Sequence, residues 1–80
     1  MIPDNHIKKY RLDGKITQTC LSSLTGISLA MIQALEQGNR GLYDGSVRNL
    51  IRISRVLRVD PMDLLDWQVI DLRDGDRDGR

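Results

Sequence analysis

Side chains that carry out catalysis or bind metals are scarce in this sequence, and those present are isolated. Cys20 is the only cysteine and His6 the only histidine among the 80 residues. Structural zinc sites need about four such ligands, and a reactive thiol needs a nearby base or a second thiol, so neither residue predicts a site. No serine or carboxylate stands in a recognisable pattern with a base. We therefore expect no catalytic residue, no metal and no cofactor, and predict that the chain is not an enzyme.

Charge is the next property that could direct chemistry, and it is distributed unevenly. Residues 1–59 contain nine Lys or Arg and four Asp or Glu, whereas residues 60–80 contain three Arg and seven Asp, although the net charge is only +1. A basic body with an acidic end is typical of a nucleic-acid-binding surface with a tail directed away from it, and ordinary scatter of surface charge gives the same pattern. The charges thus permit a polyanion partner without requiring one.

Composition restricts the class of protein to a small helical domain. The hydrophobic fraction is 40% and phenylalanine is absent, so the core must be built from Leu, Ile, Val and Met, which favours packed helices. No stretch approaches the roughly 20 apolar residues that cross a bilayer, and the N-terminus lacks the pattern of a signal peptide. We expect a cytoplasmic protein with no membrane partner.

The elements that would position functional side chains are five predicted helices. Apolar spacing and helix start and stop signals place them at approximately residues 5–12, 18–24, 29–37, 46–57 and 61–65. Thr17, Ser28 and Asp60 are the expected N-caps, and Gly26 is expected to end the second helix with a positive φ.

The C-terminal end is predicted to be an extension of the helical domain. The domain itself is assigned to residues 1–66 and the extension to residues 67–80. Alternation within residues 67–72 permits a short strand, and the Arg/Asp/Gly-rich residues 73–80 are predicted to be disordered. The apolar residues of the extension either fold back on the bundle or form a dimer contact.

Helical periodicity also predicts which side chains face the core. The inward positions are Leu21, Leu24, Ile27, Ile32 and Leu35 around the second and third helices, and Val47, Leu50, Ile53, Ser54 and Leu57 in the fourth. The outward positions are Leu29, Ala30, Gln33 and Ala34 in the third helix, and Arg48, Arg52 and Arg55 in the fourth. The charges of the first helix, Lys8, Lys9 and Arg11, are interpreted as solvated.

Several short motifs stand in register between Ile7 and Leu65. They are Gly14-Lys15-Ile16-Thr17-Gln18, Leu24-Thr25-Gly26-Ile27-Ser28, Leu35-Glu36-Gln37-Gly38, Leu57-Arg58-Val59 and Met62-Asp63-Leu64-Leu65. On these motifs the sequence resembles the phage repressor/Cro family of helix-turn-helix regulators. The resemblance implies an all-α, compact bundle of about five helices of the lambda-repressor-like type. It also implies a sequence-specific DNA-binding transcriptional regulator, with repression of a palindromic operator by a homodimer as the expected mode.

The family's roles are carried over residue by residue. The resemblance implies base readout from the third helix by Ser28, Leu29, Ala30 and Gln33. It implies phosphate contacts from the second helix and the following loop by Thr17, Gln18, Asn39 and Arg40. Glu36 matches an acidic position of the family, for which we expect a structural hydrogen-bonding role.

One departure from the family leaves a second function open. Recognition helices commonly carry several long polar side chains, whereas Leu29, Ala30 and Met31 are apolar and only Gln33 offers a bidentate partner, most naturally to adenine. Apolar contacts with thymine methyl groups would then favour an A·T-rich half-site. Alternatively, an exposed apolar face indicates a protein-interaction module on the same fold, such as an antitoxin or a component of a regulatory complex.

Overall fold

The chain folds into a bundle of short helices joined by tight turns. This computed structural model describes the backbone of residues 2–78 and the side chains of residues 2–72. Within that range the helices are α1 (Ile7–Asp13), α2 (Gln18–Thr25), α3 (Leu29–Gln37), α4 (Val47–Leu57), α5 (Pro61–Leu64) and α6 (Trp67–Asp78). The prediction of an all-α bundle is confirmed, and the first five helices match the predicted ones within one or two residues.

The core collects one or two aliphatic side chains from each helix. Ile7, Leu21, Ile32, Ile53 and Leu64 are fully buried, each from a different one of the first five helices. Burying an aliphatic side chain of this size stabilises the fold by roughly 1.5–3 kcal/mol, so this cluster supplies the main driving force for packing. Ile27, Leu35, Leu42, Leu65 and Ile70 complete the cluster.

The predicted helix starts are confirmed by side-chain capping bonds. Thr17 Oγ1 accepts a hydrogen bond from the Cys20 N–H at 3.0 Å, and Ser28 Oγ accepts one from the Met31 N–H at 3.2 Å. Asp60 caps the short helix α5 through the Met62 N–H at 2.8 Å, with Pro61 in the first turn. Each cap satisfies one of the N–H groups that a helix start leaves without an internal partner.

Gly26 ends α2 in the left-handed conformation that the sequence predicted, with a φ of 74°. A Cβ at this position would make only an ordinary van der Waals contact, with Arg52 Nη1 at 3.8 Å. We expect Gly26→Ala to lower the free energy of unfolding by about 1–2 kcal/mol, because an L side chain is strained at positive φ. Urea denaturation measures the change.

Gly14→Ala is the matched control for this prediction. Gly14 ends α1 with a φ of −84°, and a Cβ there would make ordinary contact with Tyr10 O at 3.4 Å. Alanine in an unstrained glycine position reduces the entropy of the unfolded chain and adds about 0.4–1 kcal/mol of stability. Equal losses in the two variants would contradict the conformational explanation.

Two side chains predicted to face the core are exposed instead. The exposed fraction of Leu24 is 60%, because the buried face of α2 is centred on Leu21 and Thr25, one turn apart. The exposed fraction of Val47 is 72%, because it opens α4 nearly two turns before the buried residues of that helix, Ile53 and Ser54. The helical period of apolar residues predicts which face of a helix is buried. The neighbouring helices determine how far along the helix that buried face extends.

The C-terminal extension is helical, so the prediction of a short strand at residues 67–72 is wrong. Asp66 starts the helix, since its Oδ1 accepts from the Val69 N–H at 3.2 Å and its carbonyl accepts from the Ile70 N–H at 3.1 Å. Ile70 is then buried in the core, and Trp67 Nε1 donates to the Met62 carbonyl at 2.9 Å. The start of the extension therefore folds back on the bundle. The backbone of residues 73–78 continues α6, so the prediction of disorder is wrong for these residues, and residues 79–80 lie outside the described part.

Candidate nucleic-acid interface

The turn between α2 and α3 is fixed by hydrogen bonds on both of its sides. The Gly26 N–H donates to the Ser22 carbonyl at 2.9 Å, which closes α2. The Ser22 hydroxyl donates to the Ile27 carbonyl at 2.6 Å, and Thr25 Oγ1 accepts from the Ile27 N–H at 3.2 Å. With Ile27 in the core, the entry direction of α3 has little freedom. The two helices therefore form one rigid helix-turn-helix unit.

The outward face of α3 contains the four residues predicted to read bases. Leu29 and Ala30 are exposed and lie one turn before Gln33, so all three share a face, and Ser28 caps the same helix. The Gln33 side chain is exposed and makes no hydrogen bond within the described part of the chain. Met31 does not belong to the exposed apolar face that the sequence indicated, because its side chain is half-buried against the core.

A buried ion pair fixes the far end of α3 against α1. Arg11 Nε donates to Glu36 Oε2 at 2.7 Å and Arg11 Nη2 donates to Oε1 at 3.0 Å, which is a bidentate geometry. The two side chains are only 10% and 3% exposed. The bond to Glu36 is the main cause that raises the pKa of Arg11, with burial opposing it. The structural role expected for Glu36 is confirmed, and the interpretation of Arg11 as a solvated charge is wrong.

Gln18 joins this network from the start of α2. Its Nε2 donates to Glu36 Oε1 at 3.2 Å, and the side chain is half-buried. The structure therefore brings the N-terminus of α2, with Thr17 as its cap, beside the C-terminal end of α3. The side-chain amide of Gln18 is oriented by a protein contact, while the first N–H groups of α2 remain at the helix end, where the helix dipole favours an anion.

Asn39 and Arg40 follow α3 directly and are held by its last turn. Their backbone N–H groups donate to the Ala34 carbonyl at 2.9 and 3.2 Å. Both side chains are exposed, and Asn39 Nδ2 donates to Gln37 Oε1 at 3.0 Å. The loop thus presents an amide and a guanidinium at the same end of α3 as Gln18, whereas Ser28, Leu29 and Ala30 lie at the other end.

A buried aspartate near the N-terminus holds the same loop from beneath. Asp4 is fully buried, and its two carboxylate oxygens accept from the N–H groups of Leu42 at 2.9 Å and Tyr43 at 3.0 Å. Asn5, also buried, donates to the Leu35 carbonyl and to Asp4 Oδ1, both at 3.1 Å. No pattern in the sequence singled out these two residues, because a lone polar pair in an N-terminal segment has no periodicity.

Further polar groups lie beside Arg40 that the sequence analysis did not select. An open cavity of about 390 Å³ lies between α3, this loop and the start of α4, and is lined in part by Arg40, Ser46 and Asn49. The Ser46 side chain makes no capping bond in the described structure, so its hydroxyl and the first N–H groups of α4 stay available. The position of Ser46 at a predicted helix start was the signal that could have identified it.

The geometry is that of two helices, a fixed turn and a flanking loop around one exposed helix face. The chain matches the Cro/C1-type helix-turn-helix (HTH) DNA-binding domain over residues 6–69. It belongs to the Cro/C1-type HTH family. No curated protein is similar enough to the chain to count as a match.

Family membership makes this chain a DNA-binding regulator. Proteins of the Cro/C1-type HTH family are generally not enzymes. Among the described residues, no three His, Cys, Asp or Glu side chains lie together as metal ligands would. In the same part of the chain, no helix combines the length and apolarity that crossing a bilayer requires.

Proposed function

We propose that this chain is a sequence-specific transcriptional repressor that binds a palindromic operator as a homodimer in the cytoplasm, without catalysing a reaction. The observation that carries the proposal is the arrangement around α3. Its exposed face is flanked by the start of α2 at Gln18 and by the loop at Asn39 and Arg40, and both lie at one end of the helix. A major groove admits one α-helix, and the phosphates that border the groove require donors near that helix.

In this proposal the phosphate contacts come from Thr17, Gln18, Asn39 and Arg40. Arg40 supplies the positive charge, and the N–H groups at the start of α2 supply neutral donors that favour an anion. The Glu36 contact keeps the Gln18 amide in one orientation, which lowers the entropy lost on binding. The groups of Ser46 and Asn49 beside Arg40 extend the same row of donors.

Base readout is assigned to Ser28, Leu29, Ala30 and Gln33. Gln33 reads adenine through its N6 and N7 atoms, because a side-chain amide offers one donor and one acceptor at the required spacing. Leu29 and Ala30 pack on thymine methyl groups. The operator half-site is therefore A·T-rich where the start of α3 enters the groove.

The alternative function is a protein-interaction module on the same fold. The observation that favours it is the apolar start of α3, where Leu29 is 36% exposed beside the exposed Ala30. The burial of Met31 makes this apolar surface smaller than the sequence indicated. We favour DNA because the donors that flank α3 suit phosphates and have no role in an apolar protein contact.

Selection of bound duplexes from a randomised pool tests the proposed function, combined with a salt titration on the selected DNA. We expect an A·T-rich palindrome whose half-sites lie about one DNA turn, ~34 Å, apart. Binding should weaken steeply with salt, because phosphate contacts release counterions. Absence of binding at ~50 mM salt, where electrostatic contacts are strongest, would contradict the repressor and support the protein-interaction module.

The same selection with Gln33→Ala tests the assignment of the base-reading residue. We expect a loss of about 1–3 kcal/mol of discrimination at one base pair of each half-site, with the other positions unchanged. Gln68→Ala, an exposed glutamine on α6, is the matched control and should select the wild-type operator. If Gln33→Ala keeps full discrimination at every position, Gln33 does not read a base.

A further inference from the structure

An open groove lies between α2 and α4, away from the polar groups assigned to DNA. It has a volume of about 520 Å³, and Leu24, Gly26, Arg52, Arg55 and Val56 are among the residues that line it. Leu24 is 60% exposed, and Arg52 Nη1 lies 3.8 Å from the position that a Cβ would take on Gly26. This α2–α4 groove is therefore a shallow surface on which Leu24 and Val56 lie beside two arginine side chains.

The two arginines of the α2–α4 groove have no acidic partner among the described side chains. Among the described side chains, no carboxylate lies within 4.0 Å of Arg52 or Arg55. Residues 47–59 contain four arginines and no Asp or Glu, so the charge of α4 is not neutralised along the helix either. Exposed arginines beside uncovered leucine form a surface that favours an acidic ligand with apolar side chains.

The chain carries a segment with the complementary composition immediately after α4. Residues 60–72, here called the acidic segment, contain four Asp and no Lys or Arg. Asp63 and Asp71 are exposed and make no ion pair within the described part of the chain. Met62 and Leu72, which neighbour Asp63 and Asp71 in the chain, are 59% and 71% exposed.

A hydrogen bond connects the two helices of the acidic segment. The bond from Trp67 Nε1 to the Met62 carbonyl joins α5 to α6, and Asp71 follows Trp67 by one helical turn. Asp63 precedes Trp67 by four positions and Asp71 follows it by four, and Trp67 is itself 36% exposed. The charge of this segment is opposite to that of the α2–α4 groove, and both expose apolar side chains.

We propose that the α2–α4 groove binds the acidic segment of a second copy of this chain. Asp63 and Asp71 of one copy pair with Arg52 and Arg55 of the other, while apolar side chains of the segment cover Leu24. Reciprocal docking closes a two-fold dimer, whereas one-way docking gives a head-to-tail chain of copies. The interface does not depend on DNA, so its test and the test of the repressor function can fail separately.

Analytical ultracentrifugation of the full chain without DNA tests this proposal. The wild type should self-associate at ~50 mM salt, and the dissociation constant should rise about tenfold or more at ~500 mM salt, where opposite charges are screened. The paired substitutions Arg52→Glu and Arg55→Glu should weaken association by at least a similar factor. Lys8→Glu with Lys9→Glu changes the net charge equally on the exposed face of α1 and should leave association unchanged.

A charge exchange separates this interface from a general charge effect or a folding defect. Asp63→Lys with Asp71→Lys should also weaken self-association, with circular dichroism reporting retained helix content. An equimolar mixture of this variant with the Arg52→Glu, Arg55→Glu variant should associate, because each groove then faces a segment of opposite charge. A wild type that stays monomeric at low salt, or a mixture that does not associate, overturns the proposal.

Discussion

Glu36→Ala should lower the free energy of unfolding by about 3–5 kcal/mol, the largest loss expected from a single polar substitution in this domain. The substitution leaves the Arg11 guanidinium buried beside α3 with one remaining bond, to the Ile16 carbonyl at 3.0 Å. It also removes the acceptor of Gln18. Because a domain of this size has a total stability of about 5–15 kcal/mol, urea denaturation is best measured at low temperature.

Two further variants identify the cause of that loss. Asp13→Ala removes an exposed carboxylate at the end of α1 and should change stability by less than about 0.5 kcal/mol. Arg11→Met combined with Glu36→Leu replaces both charges by apolar side chains, so it should be clearly more stable than Glu36→Ala alone. A double variant as unstable as the single one would contradict the explanation by an uncompensated buried charge.

The raised pKa of Arg11 determines how its contribution to the free energy of unfolding depends on pH. A group whose pKa is higher in the folded state contributes fully below its unfolded pKa and loses this contribution as the pH rises through the folded value. The bond with Glu36 raises the pKa of an arginine, which is already charged at any pH where proteins are ordinarily studied. The arginine side of the ion pair therefore adds no pH dependence near neutrality.

Asp4→Ala should cost about 3 kcal/mol of stability and should also weaken DNA binding. Its carboxylate accepts the N–H groups of Leu42 and Tyr43, and removing it leaves these donors without this acceptor, at about 1–3 kcal/mol for a buried group. The loop that carries Asn39 and Arg40 then loses its support from beneath. We expect a loss of operator affinity that persists at temperatures where circular dichroism reports a folded protein.

Asp60→Ala provides the matched comparison, because it removes an aspartate that accepts one exposed N–H, from Met62. Loss of an N-cap costs about 1 kcal/mol and leaves the α3–α4 loop untouched, so operator affinity should stay at the wild-type level. If the two variants lose stability and affinity equally, Asp4 has no special role in placing the loop.

Much of the fold followed from local physical chemistry in the sequence. Thr17 and Ser28 were predictable as caps because short hydroxyl side chains satisfy N–H groups at a helix start. Gly26 was predictable because only glycine adopts a positive φ at low cost. Ile32 and Leu35 were predictable from their helical spacing, and the family motifs indicated which helix would present its face to DNA. None of these features depends on a distant part of the chain.

Tertiary contacts decided what spacing could not. Arg11 is buried because Glu36, 25 positions later, compensates its charge, and no pattern within α1 carries that information. Asp4 reaches a loop 38 positions away, and Ile70 lies in the core because Asp66 starts a helix where alternation permitted a strand. The sequence by itself determined the local elements and the class of surface they form. The pairing of charges and donors across the bundle fixes α3 and the loop that follows it. Only the fold determined this pairing, because a buried polar group depends on its partner in space.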